Sequence, residues 1–183
     1  CRVVLFDTQV KHTLASSEYN VRRAQCEAGV AVVLRHVGGV ESLRDVTADM
    51  LDTYKGEMDE VVYRRCRYVV DENQRLLDAC AALEKGDYVT FGQKMNGSHE
   101  GLSRQYEVSC DELDFLADIG HRTDGVLGAR MMGGGFGGCT INLVKDGLYD
   151  NFIATAKEKF NAKYGHEPKV YEVVISDGSR RLE

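Results

Sequence analysis

The sequence predicts an α+β domain in which helices pack on one face of a mainly antiparallel sheet. Strand-like apolar runs lie near both ends of the chain, at residues 3–6 and 170–175, and helical periodicity fills the middle. A glycine-rich segment at 128–138 leads into a further β-branched run at 140–144. With 183 residues, 43% hydrophobic and 28% charged, the chain has the size and composition of one globular domain.

The first elements are a strand and a helix. The apolar run 3–6, closed by Asp7, is typical of a buried strand, and Asp7 itself is expected to form a turn. The serines at 16 and 17 can cap the helix that follows, and the glycines at 38 and 39 can end it. Residues recurring at three- and four-residue steps predict the buried face of this helix: Val21, Ala24, Ala28 and Ala31.

The middle of the chain is predicted to be helical. Gly86 is a stop signal, and Asp87 can cap the next helix. Ser109 and Glu112 match the S-x-x-E capping box, which predicts a further helix start. One long helix is predicted from a stripe that is apolar except for Asn73: Val62, Cys66, Val69, Asn73, Leu76, Cys80 and Leu83.

The last third combines β-branched and amphipathic segments. Residues 140–144 predict a strand, Pro168 marks a break, and 170–175 predict a final strand. An amphipathic helix between them is predicted from five regularly spaced residues: Tyr149, Phe152, Ile153, Ala156 and Phe160.

Charge and cysteine usage exclude several classes of function. The formal net charge is −6 and the basic residues are mixed with acidic ones, which argues against a nucleic-acid surface. No apolar run reaches the roughly 18 residues of a membrane helix, so we expect no membrane partner and a cytoplasmic setting. The six scattered cysteines favour free, buried thiols over a zinc site or a disulfide framework.

The glycine-rich segment from Gly128 to Thr140 reads G-A-R-M-M-G-G-G-F-G-G-C-T. A dinucleotide-binding fingerprint needs a helix directly afterwards, and a Walker A loop needs G-K-[ST]; neither is present. Such a density of glycines suits positive φ angles or the close approach of another backbone, and successive glycine amides can bind an anion. Two interpretations stay open at this point: a loop that contacts phosphate, and a tight hairpin with close strand packing.

The M-x-G-G-G-F-G-G-C-T block resembles the third signature motif of the galactokinase, homoserine kinase, mevalonate kinase and phosphomevalonate kinase (GHMP) superfamily, in the form closest to galactokinases. In that family the loop lies at the domain interface and supports the phosphate-binding region. Met132 stands where the family usually has threonine or a similar small residue, so no role is transferred to it. The resemblance implies phosphate-loop support for Gly133, Gly134, Gly135, Gly137 and Gly138.

A second block, D-T-Q-V-K-H-T-L-A-S-S-E-Y-N-V-R-R-A-Q-C at 7–26, resembles the galactokinase segment N-S-x-V-x-H-x-L-x-x-S-x-Y-x-x-R-R-x-x-C. It implies that Tyr19 contacts the sugar, and a tyrosine ring and hydroxyl suit a polyol; packing between helices is the alternative. Lys11 stands where the family usually has an arginine near the reacting phosphate, and it keeps the charge without the bidentate fork. The alternative for Lys11 is a solvated lysine on the surface. His12 is expected to cap a helix or to pack against neighbouring residues rather than to act as a base.

A third match covers residues 91–116 and is expected to be structural. F-G-Q-K-M-N-G-S-H-E-G-L and Y-E-V-S-C-D-E-L-D-F-L resemble the family's F-G-x-L-M-x-x-S-H-x-S-L and Y-E-V-S-x-x-E-L-D. The three blocks keep the family order. Together they imply a GHMP kinase C-terminal domain over 1–183, with a ferredoxin-like mixed or antiparallel sheet and helices packed on one face.

The resemblance implies a parent enzyme that transfers the γ-phosphoryl group of ATP to the anomeric hydroxyl of galactose, with Mg²⁺. The family's sugar-binding G-E-H-x-D motif, serine-rich ATP loop and catalytic aspartate belong to its N-terminal half, and none is found in this sequence. We therefore expect this chain to hold no catalytic residue and no metal ligand, with Lys11 as an accessory candidate. ATP, Mg²⁺ and galactose are expected to bind together with the N-terminal domain that this chain lacks, and the chain alone is expected to be inactive.

Four alternatives remain. The first is that the parent is a kinase for a related sugar, such as galacturonate or N-acetylgalactosamine. The second is that it is a non-catalytic galactose sensor on the same scaffold. The third is that Cys1 is an N-terminal nucleophile with its own amine as the base, although this explains none of the three galactokinase-like blocks. The fourth is a standalone ferredoxin-like binding module.

Overall fold

The computed structural model describes residues 1–10 and 15–179 of the chain. The elements follow in this order: strand β1 (Arg2–Asp7), helices α1 (Ala15–Leu34), α2 (Ala48–Thr53), α3 (Glu60–Glu84), α4 (Tyr88–Arg104) and α5 (Asp111–His121), strands β2 (Val126–Met131) and β3 (Cys139–Val144), helix α6 (Tyr149–Tyr164) and strand β4 (Lys169–Val173). None of the helices in the described ranges is both long enough and apolar enough to cross a membrane.

The four strands form one antiparallel sheet in the order β2-β3-β1-β4. This is the ferredoxin-like strand order, so the predicted fold class is confirmed, with an antiparallel rather than a mixed sheet. β1 lies in the interior, where Phe6 pairs with Thr140 of β3 on one side and with Val170 of β4 on the other. The predicted terminal strands and the C-terminal amphipathic helix are therefore present, and β4 begins directly after the break at Pro168.

The described residues form three hydrophobic cores, the smallest of which joins Tyr68, Leu102, Val108, Leu113 and Met131. The first lies between one face of the sheet and helices α5 and α6, and it contains Val4, Phe6, Leu116, Phe152 and Phe160. The second lies between α1, α2 and α3, and its buried members include Val33, Leu51, Cys66 and Val70. The long stripe predicted on α3 is buried only in its first half, since Leu76 and Leu83 are exposed.

Helix α4 closes one edge of the sheet. It approaches β2 so closely that a Cβ on Gly92 would overlap the Leu127 carbonyl oxygen. The Ala129 amide donates to Asn96 Oδ1 at 2.8 Å, and the Met131 amide donates to His99 Nδ1 at 3.1 Å. These contacts give a physical reason for the glycine, asparagine and histidine of the block at 91–102, because an edge strand must satisfy its outward amides.

Three local predictions are wrong. Val21, Ala24, Ala28 and Ala31 are exposed, and α1 instead turns Arg22, Gly29 and Val33 inward. Helix α1 begins at Ala15, so the serines at 16 and 17 lie inside it rather than before it.

The capping box at Ser109 is the third error. Helix α5 starts after Cys110, which makes no side-chain cap, and Ser109 Oγ donates to Asp114 Oδ1 at 2.5 Å. By contrast, Asp87 caps α4 as predicted, since its side chain accepts the Thr90 amide at 3.0 Å.

Candidate functional site

The glycine-rich loop connects β2 to β3. Its neck is closed by the Met132 amide, which donates to the Cys139 carbonyl at 2.9 Å. Positive φ angles of +88°, +89°, +136° and +83° occur at Gly133, Gly135, Gly137 and Gly138. A side chain is strained in that region of φ, so the backbone path itself requires most of these glycines.

The second half of the loop is clamped by two other segments. The Phe136 amide donates to the Val108 carbonyl at 2.7 Å, and a Cβ on Gly135 would overlap the same carbonyl oxygen. The Gly138 carbonyl accepts hydrogen bonds from the Thr8 amide and the Thr8 hydroxyl, both at 2.9 Å. The loop is therefore a tight hairpin with close backbone packing, which is one of the two interpretations left open by the sequence.

The first half of the loop is different. Gly133 and Gly134 are exposed, and a Cβ added to either would meet no atom within 4 Å. Gly135 and Gly137 are buried. The two open glycines therefore form an uncrowded tip where an anion can approach the backbone.

Tyr19 lies on α1 with 65% of its surface exposed. It lines a groove of about 560 Å³ together with Arg23, Cys26 and Tyr106. Within the described residues it is not packed between helices, and its ring and hydroxyl are accessible to a ligand.

Arg22 joins α1 to the segment that clamps the loop. It is buried, and its guanidinium donates to the carbonyls of Tyr106 and Glu107, both at 2.7 Å. It also pairs with Glu18 at 2.8 Å and lies 6.0 Å from the centre of the Phe136 ring. A buried charge needs such partners, and these fix α1, the 106–108 segment and the glycine loop relative to one another.

The 106–108 segment is tied to α3 as well. The Glu107 carboxylate pairs with Arg64 at 2.8 Å and Arg65 at 2.9 Å. The hydrogen bond from Arg65, followed by the charges of both arginines, lowers the pKa of Glu107. The segment that holds the loop is thus anchored from two helices.

No role for Arg22 was predicted from the sequence. The available signal was the R-R pair in the galactokinase-like block at 7–26, where both arginines match. Burial of a guanidinium against backbone carbonyls leaves no hydrophobic pattern, so only the motif could have indicated it.

The remaining predicted residues are placed as follows. Lys11 and His12 lie outside the described residues. Asp7 forms a turn as predicted, because its Oδ1 accepts the Gln9 amide at 2.8 Å. In the described ranges, no group of three or more His, Cys, Asp or Glu side chains is arranged to hold a metal ion.

Comparison with known proteins gives a consistent result. Residues 79–162 match the family model described as GHMP kinases C terminal. A galactokinase of Clostridium beijerinckii is 40% identical over 182 residues, which cover 99% of this chain and 46% of that protein. A galactokinase of Thermotoga neapolitana is 39% identical over 178 residues, covering 97% of this chain and 48% of that protein.

Solved structures agree with these sequence matches. The crystal structure of Lactococcus lactis galactokinase complexed with galactose superposes with a TM-score of 0.92 at 32% identity, covering 99% of this chain and 47% of that one. A mevalonate kinase of L. major shares the fold at a TM-score of 0.56 and 21% identity. The chain spans about half the length of the curated relatives that it matches. Residues 79–162 therefore match the GHMP kinase C-terminal family model, and nearly the whole chain is similar to just under half of each of these galactokinases.

Proposed function

We propose that this chain is the C-terminal part of a sugar kinase that converts galactose and ATP to galactose 1-phosphate and ADP. The observation that carries the proposal is the TM-score of 0.92 to a galactokinase that was solved with galactose bound. In this reaction the anomeric hydroxyl oxygen bonds to the γ-phosphorus as the bond to the ADP oxygen breaks. The assignment of 1–183 to the C-terminal domain, with the ATP and sugar half outside this chain, belongs to the same proposal.

Each residue has a defined task in this proposal. Tyr19 contacts the sugar through its exposed ring and hydroxyl. Gly133 and Gly134 present the open tip that supports the phosphate-binding region, whereas Gly135, Gly137 and Gly138 shape the loop. Lys11 is an accessory group near the phosphate. No residue of this chain performs the chemical step; ATP and Mg²⁺ are bound together with the other half, and the cytoplasmic location stays a prediction.

The first experiment tests the substrate and Tyr19. The longest reading frame that contains the chain is expressed, and ADP release is measured with ATP, Mg²⁺ and a panel of sugars. Galactose should give the highest activity. Tyr19→Ala should lower kcat/KM for galactose by about 10- to 100-fold, the worth of one or two lost ligand contacts. Tyr171→Ala, at a partly exposed tyrosine on β4, serves as the control and should retain full activity.

Other results would redirect the assignment. Higher activity with galacturonate or N-acetylgalactosamine would overturn the named sugar and keep the kinase class. Galactose binding without ADP release would favour the sensor. ADP release by residues 1–183 alone would contradict the expectation that the fragment is inactive.

A second experiment separates phosphate support from hairpin geometry. Gly134→Ala meets open space and should leave thermal stability unchanged while raising KM for ATP several-fold. Gly135→Ala has both a positive φ and the Val108 carbonyl against it, so it should lower stability as well. If Gly134→Ala leaves KM for ATP unchanged, the loop is a structural hairpin without a phosphate role.

A further inference from the structure

Helices α1 and α3 bring two cysteines together. Cys66 of α3 is fully buried, and it faces Gly29 of α1 so closely that a Cβ on that glycine would overlap its sulfur. The Cys66 Sγ lies 3.7 Å from the Gln25 carbonyl and 4.0 Å from the Cys26 carbonyl. The close helix contact therefore places the Cys66 thiol directly against the turn of α1 that carries Cys26.

Cys26 is reachable from solvent, unlike its partner. It is half-buried and lines the groove that also contains Tyr19. Its Sγ lies 3.8 Å from the hydroxyl of Tyr106. A small oxidant that enters the groove therefore meets Cys26 before it meets Cys66.

The surroundings also distinguish the two thiols chemically. The neighbouring Cys66 thiol is the largest influence on Cys26, and together with Tyr106 and Arg65 it lowers the pKa of Cys26 against the opposing effects of burial and Glu27. The proximity of Cys26, together with burial, raises the pKa of Cys66. Cys26 is therefore the thiolate-forming member and Cys66 the protonated member of the pair.

The partly buried cysteines elsewhere lack this activation. Burial raises the pKa of Cys110 to about 11, and it also raises the pKa of Cys139. Cys80 is exposed on α3. These three provide internal references for reactivity within the same chain.

We propose that Cys26 and Cys66 form a reversible thiol–disulfide pair, in which Cys26 reacts first with a peroxide and Cys66 resolves the product. The Cys26 thiolate attacks one peroxide oxygen, the O–O bond breaks, and the products are Cys26 sulfenic acid and hydroxide. The Cys66 thiol then attacks the Cys26 sulfur and expels water, which leaves one disulfide between α1 and α3. In sum, two thiols are oxidised by two electrons and one hydrogen peroxide is reduced to two waters.

The inference rests on the contacts of these helices and not on the proposed kinase activity. The test uses the full-length polypeptide that contains this chain, treated with a small molar excess of hydrogen peroxide, alkylated, and mapped by mass spectrometry without reduction. A linked pair of peptides carrying Cys26 and Cys66 should appear and should disappear with dithiothreitol. Wild-type protein suffices for this step, so no folding defect of a variant can obscure it.

Variants then assign the order of events. Cys66→Ser should let the sulfenic acid accumulate at Cys26, where dimedone traps it. Cys26→Ser should reduce oxidation of Cys66 at least about tenfold, because the buried thiol lacks both access and thiolate character. Cys80→Ser is the matched control and should leave the linked pair unchanged.

Two results would overturn the proposal. One is a peroxide-treated wild-type protein in which Cys26 and Cys66 both remain reduced while Cys80 is oxidised. The other is direct conversion of Cys26 to sulfinic or sulfonic acid with no linked peptide at any peroxide dose.

Discussion

The two edges of the sheet are completed by different means. At the β2 edge, α4 takes the place of a further strand, and Asn96 and His99 accept the outward amides of Ala129 and Met131. At the β4 edge, the chain continues into Val174 and Ile175, which are 86% and 84% exposed. One edge is therefore covered by α4, and the other is exposed among the described residues.

The difference shows that side chains can complete a sheet as well as a backbone can. The Ala129 carbonyl is satisfied too, because His121 of α5 lies with its Nε2 at 2.8 Å. A buried amide or carbonyl without a partner costs about 1–3 kcal/mol, so each of these contacts matters to the free energy of unfolding. An open edge avoids that cost only while water can reach it.

The largest change in the free energy of unfolding is predicted for a substitution at the closest contact of the closed edge. Gly92→Ala should lower the free energy of unfolding by about 3 kcal/mol, because its Cβ would overlap the Leu127 carbonyl oxygen. Gly97→Ala on the same helix is the matched control. It meets only the flexible end of Arg75, at 3.3 Å, and should leave stability unchanged or raise it by about 0.5 kcal/mol. Urea unfolding measures both, and equal losses would show that the α4–β2 contact does not set the position of the helix.

An effect of intermediate size is expected on the pH dependence of stability, through the carboxyl group of Asp114. His99 uses Nδ1 as the acceptor for Met131, so its Nε2 carries the proton towards Asp114 Oδ1 at 3.2 Å. Burial raises the pKa of Asp114, but hydrogen bonds from His99, Ser109 and Ser103 outweigh it and lower the pKa to about 2. A lowered carboxyl pKa contributes stability that is present above the unfolded value of 3.8 and is lost as pH falls towards 2.

We therefore expect wild-type protein to lose about 1 kcal/mol more than Asp114→Asn between pH 5 and pH 2, a figure reduced for solvent screening of a partly exposed group. Urea unfolding across this pH range measures the difference. Asp118→Asn removes a carboxylate on the same helix that pairs with exposed Arg122, and it should follow the wild-type pH profile. If the free energy of unfolding of Asp114→Asn follows the same pH profile as wild type, the Asp114 carboxylate does not stabilise the closed edge.

The smallest effect is expected at the open edge. Val174→Lys should change the free energy of unfolding of residues 1–183 by less than about 0.5 kcal/mol, since the valine is largely in solvent. The same substitution in the full-length polypeptide sharpens the comparison. A cost above about 1 kcal/mol there would show that the other half of the protein covers this edge.

Strand and helix predictions succeeded where burial follows hydrophobicity. The apolar run of β1 and the spacing of Phe152, Ala156 and Phe160 in α6 correspond to the first core. The buried face of α1 was predicted wrongly, because two of its three buried residues in the described part are Arg22, which is charged, and Gly29, which has no side chain. Their burial depends on distant carbonyls and on Cys66, which no local periodicity encodes.

The candidate site was predictable only in part. Its glycines are visible in sequence, and four of the five between 133 and 138 have positive φ angles that strain other residues. The division of the loop into an open tip and a clamped half was not visible in the sequence, because it depends on contacts with Thr8 and Val108, which lie far away along the chain. The same holds for Ser109. The S-x-x-E pattern predicted that its hydroxyl caps a helix, but the hydroxyl donates to Asp114 instead.

The interior position of β1 has a consequence for synthesis on the ribosome. β1 precedes both strands that flank it, and the Thr8–Gly138 contact that follows it spans 130 residues. Its apolar run V-V-L-F therefore emerges long before either neighbour exists to cover it. During translation, this interior strand is therefore made before both of its neighbours, and it is exposed to premature association until they follow.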